Sequence, residues 1–407
     1  MTGPLANLRV LDLSRVLAGP WCSQNLADLG AEVIKIERPG AGDDTRAWGP
    51  PFLRDAAGAE TGESAYFLSC NRGKKSLTLD ITQVEGQRIV RDLAADSDIL
   101  LENYKVGGLA KYGLDWPSLS TLNPRLIYCS ITGFGQDGPY AGRAGYDFIV
   151  QGMGGLMSIT GERDDLPGGG PQKVGVAVAD LMTGMYATVA VLAALAHRER
   201  SGAGQHIDLA LLDAQVAMLA NQNLNYLTTG RSPGRAGNAH PNIVPYQAFA
   251  SADGHLILAV GNDAQFRRFC ELAGCAALAD DERFASNRAR VDNRDTLLPL
   301  LEPLLRRRTT HAWIEALEAA GVPCGPINRL AEVFADPQVR HRGMAIELSH
   351  PLAPRLPSVA SPMRFSATPV EHAAPPPLLG QHSDEILAQR LGLSPGEIAA
   401  LRARGVV

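Results

Sequence analysis

Apolar residues near the N-terminus fall into two short runs on either side of a helical stretch. Leu8-Arg9-Val10-Leu11-Asp12-Leu13 and Glu32-Val33-Ile34-Lys35-Ile36-Glu37 read as strands, and residues 20–29, opened by a proline, read as a helix. Strand, helix and strand within about thirty residues predict a parallel pair with a right-handed crossover. The alternation returns at residues 98–101 and 126–131, so the fold class is predicted as α/β with a Rossmann-like large domain. A long apolar helix over 181–197 follows Asp180, then a polar turn over 202–205 and a strand over 206–211.

From about Tyr226 the pattern changes. A loop rich in Gly, Pro and Asn (230–245) leads into two strand-like runs between 248 and 260, with Asp253-Gly254 as a hairpin turn, and helices with charged faces run on to about residue 320. This predicts a smaller α+β domain over 226–310, joined by a linker at 201–225 and a return linker at 311–330. The large domain then spans 1–200 and is completed by 331–407, whose helical tail packs back on it.

At 407 residues and 45% apolar content, two such domains can each bury a core. Net charge is only -5 and the Lys and Arg residues are scattered, which argues against a nucleic-acid partner and means that an anionic ligand is met by a few local cations. The longest apolar stretch, 184–196, falls short of the roughly 20 residues of a membrane span, and the start shows no signal pattern, so a cytoplasmic location is expected. Six cysteines without a CxxC pair or clustered histidines predict neither a metal site nor disulfides.

The turn after the first strand, Ser14-Arg15-Val16-Leu17-Ala18-Gly19-Pro20, lacks the GxGxxG that admits a pyrophosphate, so a nicotinamide or flavin site is not expected. Asp180, on position alone, reads as a cap of the helix it precedes. A series of strings gives it another role. Val10-Leu11-Asp12-Leu13, Ala18-Gly19-Pro20, Gly30-Ala31-Glu32-Val33-Ile34-Lys35-Ile36-Glu37-Arg38, Asn71-Arg72-Gly73-Lys74-Lys75-Ser76, Glu102-Asn103-Tyr104, Gly133-Phe134-Gly135, Gly145-Tyr146-Asp147, Ala179-Asp180 and Leu378-Leu379-Gly380-Gln381-His382 occur in order. Together they resemble the class III CoA-transferases over nearly the whole chain.

The resemblance implies that Asp180 is the nucleophile and covalent carrier. A carboxylate attacks a thioester to give a mixed anhydride, which the released thiolate reopens to an aspartyl-CoA thioester. It also implies CoA contacts at Val16, Leu17, Ala18, Arg38, Arg72, Lys74, Lys75, Asn103, Tyr104, Lys111 and Tyr146, although packing or solvated charge explains each of these equally well in isolation. Oxyanion donors are expected from amides at the start of the Asp180 helix or from the glycine-rich loops. CoA is a substrate, and no other cofactor and no metal are expected.

Tyr146 stands where the related racemases carry histidine, and a phenol is a poor base at neutral pH, so transfer is expected over racemisation. A racemase or epimerase on the same fold, or a CoA-ester-binding protein without turnover, is the alternative. Asp43-Asp44-Thr45-Arg46, Trp48-Gly49-Pro50-Pro51-Phe52, the stretch 240–249 and Pro375-Pro376-Pro377-Leu378 resemble the branch that uses succinyl-CoA and a dicarboxylate such as glutarate. Arg46, Arg72, Arg143 and His240 are the candidates for a distal carboxylate, and a surface or structural role explains each equally well. The resemblance further implies an interlocked homodimer with the active site near the domain interface.

Overall fold

The computed structural model describes residues 3–372 and 374–407. Its chain divides into two units. One comprises residues up to 156, 174–228 and 337 onward, and the other comprises 157–173 and 229–336.

The first unit is built on six strands, Arg9–Asp12 (β1), Glu32–Glu37 (β2), Lys74–Thr78 (β3), Ile99–Glu102 (β4), Ile127–Thr132 (β5) and Gln205–Ala210 (β6). All pair in parallel, in the order β3-β2-β1-β4-β5-β6. This is the doubly wound order, which reverses direction between β1 and β4. Side chains alternate along each strand, so both faces need cover. Leu11, Ile34 and Leu100 face one core, shared with Leu93 and with Ile386, Leu387, Ile398 and Leu401 of the C-terminal helices Ser383–Leu391 and Pro395–Ala403. Val10, Val33, Ile99, Leu101 and Cys129 face the other, against Ala18–Asp28 (α1) and a helix that carries Ala187, Val191 and Ala194.

The strand β3 was not foreseen. Lys-Lys-Ser reads as a turn, yet Lys74 and Ser76 are buried in the sheet because Asp12 and Glu37 face them. Three further helices of this unit matter below, Asp147–Met153 (α2), Val178–Ser201 (α3) and Leu211–Met218 (α4). At 24 residues, α3 is longer than the apolar stretch suggested, and it is long and apolar enough to cross a membrane by length and composition alone. Its Ala187 and Val191 are fully buried in the core.

The region 201–225, predicted as a linker, belongs to the first unit, where it carries the expected strand as β6 and, beyond it, α4 and most of the helix Ala220–Thr229. The polar alternation His206, Asp208 belongs to a sheet-edge strand paired with β5 alone.

The second unit holds a three-stranded antiparallel sheet of Tyr246–Ala250 (β7), His255–Ala259 (β8) and Cys324–Pro326 (β9). The β7–β8 turn is the predicted Asp253-Gly254 hairpin. Residues 311–330, predicted as a return linker, lie in this unit, and Trp313, Leu317 and Val322 are part of its core beside Phe266, Phe269 and Leu297.

Candidate active site

Two cavities open beside each other where the strand order reverses, the usual ligand position of a doubly wound sheet. One, of about 410 Å³, is lined by Arg38, Lys111, Tyr112 and the loop after β2. The other, of about 490 Å³, is lined by Val16, Leu17, Ala18, Asn103, Arg143, Tyr146 and Asp180. Arg15, Asp44, Tyr104 and Lys105 line both.

The loop after β1 forms their shared wall. Asn103, on the loop after β4, accepts the Arg15 N–H at 2.9 Å and donates to the Arg15 carbonyl at 2.7 Å. Asp43 accepts the Val16 N–H at 3.2 Å. Below the loop lies a buried ionic lattice. Lys35 reaches Asp43 at 2.9 Å and the Ser14 carbonyl at 2.7 Å, and Lys74 reaches Asp12 at 3.2 Å. Burial alone would raise the Asp43 carboxyl, but Lys35 and the Thr45 bonds bring it down to about 2. Burial likewise opposes ionisation of Asp12, and Lys74 and Lys35 overcome it, so this carboxyl lies below its usual range.

Asp180 is not the cap that its position suggested. The helix α3 starts at Val178 and not at 181, so Asp180 sits in its first turn, and Asp147 supplies the cap by accepting the Ala179 N–H at 2.8 Å and the Asp180 N–H at 3.4 Å. These amides are therefore spent and are not the oxyanion donors expected there. The Asp180 carboxyl is left to the cavity, where burial first and the Asp147 charge second raise it to about 7. The close approach of Gly133 to Gly145 brings Tyr146 and Asp147 to this point, since a Cβ on Gly133 would lie 2.5 Å from the Gly145 Cα. Trp48 was read only as part of the string 48–52, and Tyr66 was not singled out at all. Trp48 lines the Asp180 cavity with its ring edge-on to Tyr66 at 5.1 Å, and burial, followed by the nearby Asp180 charge, pushes the Tyr66 phenol up to about 12.

Of the predicted cations, Arg38 and Lys111 reach the first cavity and Arg143 the second, and none of the three makes an ion pair among the described residues. The others are committed elsewhere. Arg46 binds Glu37, Glu63 and the Pro377 carbonyl, with its guanidinium 3.7 Å over the Phe67 ring. Arg72 pairs with Asp28 at 2.6 Å and donates to the Val359 carbonyl. Lys74 is 2% exposed, and Lys75 pairs with Glu32 and Glu385. His240 belongs to the second unit, where its ring packs edge-on to Tyr246 at 5.2 Å and burial and Arg294 lower its pKa, so it carries no charge at neutral pH. Among the described residues no group of three or more His, Cys, Asp or Glu could hold a metal.

The sequence pattern that defines CoA-transferase family III matches residues 5–383. The chain belongs to that family. It is an enzyme that transfers coenzyme A. A succinate–glutarate CoA-transferase of Agrobacterium fabrum is 54% identical over 386 residues, 95% of this chain and 95% of that protein. The succinyl-CoA:glutarate CoA-transferase of Homo sapiens is 44% identical over 404 residues, 99% of this chain and 90% of that one. A crystal structure of a CAIB/BAIF family protein from Brucella suis superposes with a TM-score of 0.84 at 51% identity, covering 96% of this chain and 100% of that one. The first cavity thus carries the cations Arg38 and Lys111, and the second the carboxyl of Asp180.

Proposed function

We propose that this enzyme moves CoA from succinyl-CoA to glutarate through a thioester on Asp180. The activities named for the Agrobacterium and human relatives support the two acids. The observation that carries the chemistry is the setting of Asp180, a carboxylate raised to about 7 in the cavity with a tyrosine, and no histidine, in the neighbouring Gly145-Tyr146-Asp147 string.

The Asp180 carboxylate attacks the thioester carbonyl, the C–S bond breaks, and CoA leaves as thiolate from a succinyl-aspartyl anhydride. The thiolate attacks the Asp180 carbonyl, the anhydride C–O bond breaks, and succinate departs, leaving aspartyl-CoA. Glutarate opens this thioester to a second anhydride, and the thiolate then takes the glutaryl group and frees Asp180. No net proton is moved, so the scheme needs no base where Tyr146 stands. Burial makes the ionised carboxylate costly, and acylation relieves that cost. The Tyr66 phenol and the start of α1, which no side chain caps, supply donors to the oxyanions.

Arg143 takes the distal carboxylate. Its exposed guanidinium lies 4.6 Å over the Tyr140 ring and 5.2 Å over Phe134, which hold it in place without neutralising it. The enzyme works as an interlocked homodimer, with a second copy covering apolar side chains on α2, α3 and α4 such as Phe148 and Val189, each 59% exposed, and Val216, 45% exposed.

The test is CoA transfer from succinyl-CoA to glutarate and to pentanoate. Arg143→Gln is expected to lower kcat/KM for glutarate by about tenfold or more, the worth of a hydrogen bond to a charged group, and to spare pentanoate. Equal losses for both acids contradict the role of Arg143. Exchange of an α-proton in deuterated water without transfer between acids contradicts the whole reading.

A further inference from the structure

Val16 has a φ of 71°, in the left-handed region, which a β-branched residue enters only under constraint. The constraint is visible in the peptide group between Arg15 and Val16. Its carbonyl accepts from the Asn103 side-chain amide at 2.7 Å and its N–H donates to Asp43 at 3.2 Å. Both polar ends of one peptide plane are thus pinned by side chains from two other loops. Turning the plane over to relax Val16 would set the carbonyl against the Asp43 carboxylate and the N–H against the Asn103 NH2. Lys35, fully buried and 2.9 Å from Asp43, holds that carboxylate ionised, so it can only accept. Asn103 also accepts the Arg15 N–H, and the Ser14 carbonyl is taken by Lys35, so the backbone polar groups leading into Val16 are held by side chains.

We infer that Asn103 and Asp43 are positioning residues, a clamp that stores a strained peptide at Arg15–Val16 and so fixes the wall between the two cavities. This changes the role that the resemblance gave to Asn103. Its amide oxygen and NH2 are both spent on the Arg15 backbone. The consequence is that the passage a CoA ester must thread is preformed, and its binding does not have to order the loop. The functional half of this inference rests on CoA occupying the cavities.

The test uses Asn103→Ala, alone and with Val16→Gly, because glycine adopts a positive φ without strain. In crystals of Asn103→Ala, Val16 is expected to rotate to a negative φ. CoA affinity, measured by calorimetry on the full chain, is expected to fall about tenfold, the change that about 1.4 kcal/mol produces. Adding Val16→Gly is expected to recover most of that loss. Asp43→Asn, which keeps an oxygen for the Val16 N–H but loses the charge, is expected to weaken CoA in the same direction and to be rescued by the same glycine. Val16 remaining at a positive φ in Asn103→Ala overturns the clamp. So does failure of glycine to rescue, which is the result if Asn103 acts by touching CoA or by general stability. The crystallographic arm needs no ligand and judges the clamp whether or not the transferase reading stands.

Discussion

Replacing Asp180 with asparagine is expected to abolish transfer and to make the protein more stable. The carboxyl is raised from 3.8 to about 7 by burial and by Asp147, a shift of about three units at roughly 1.4 kcal/mol each. The sign follows from linkage. An acid with a raised folded pKa is favoured in its protonated form by folding, so the wild type loses stability as pH climbs from the unfolded pKa towards 7 and carries the full cost above it. The cost is then about 4 kcal/mol at pH 8 and about 2 kcal/mol at pH 5.5, where the unfolded chain is still ionised. Asp180 is partly open to the cavity, and solvent screening reduces these figures to about half. Asparagine, a neutral isostere, removes the cost. Thermal unfolding is thus expected to shift upward by about 2 °C at pH 8 and about 1 °C at pH 5.5. Melts of both proteins at both values, followed by fluorescence, provide the check. Glu102, also raised to about 7 by burial, is present in both proteins and cancels. A variant no more stable than wild type at pH 8, or a gain that grows on acidification, refutes the reasoning.

Asp147→Asn removes the second cause of the Asp180 shift, so the acid limb of kcat/KM, expected near pH 7 in the wild type with activity lost as pH falls, moves to lower pH without reaching 3.8. A pH profile whose acid limb does not move contradicts this. Lys74→Met removes the ion pair of buried Asp12 and leaves its charge to Lys35, Ser14 and Ser23, so chemical denaturation is expected to show a loss of about 3 kcal/mol. Arg38→Ala and Lys111→Ala, at the cavity rim, are expected to stay within about 0.5 kcal/mol of wild-type stability and to raise KM for succinyl-CoA by about tenfold each. Loss of stability in the rim variants with KM unchanged would place those cations in the structure and not in the site. Tyr146→Phe keeps transfer within about fivefold, since the scheme asks no proton of the phenol, and an assay showing a loss of about a hundredfold or more contradicts that.

The strands β1, β2, β4 and β5 were legible because each carries a short apolar run, Val10-Leu11, Val33-Ile34, Ile99-Leu100-Leu101 and Ile127-Tyr128-Cys129. The strand β3 was hidden because its inward positions are Lys74 and Ser76, whose burial depends on Asp12 and Glu37 in other strands. The same non-locality limited the reading of the cations. Nothing near Arg46 or Arg72 in sequence distinguishes them from Arg38, but Glu63, Asp28 and Val359 engage the first two across the fold and leave Arg38 to the cavity. The resemblance, and not the local sequence, put Asp180 forward, and its apparent capping role dissolved once Asp147, more than thirty positions earlier, was seen to hold the helix start. The unit boundary was set too early although the strand over 206–211 was read, because its place in the six-stranded sheet depends on pairing with β5, more than seventy residues earlier.

A covalent link between CoA and Asp180 can be observed directly. Incubation with succinyl-CoA, rapid acid quench, proteolysis and mass spectrometry are expected to find CoA joined, with loss of water, to the peptide that contains Asp180, and to find no such adduct in Asp180→Asn. An adduct on another residue, or full transfer activity in Asp180→Asn, would contradict the account.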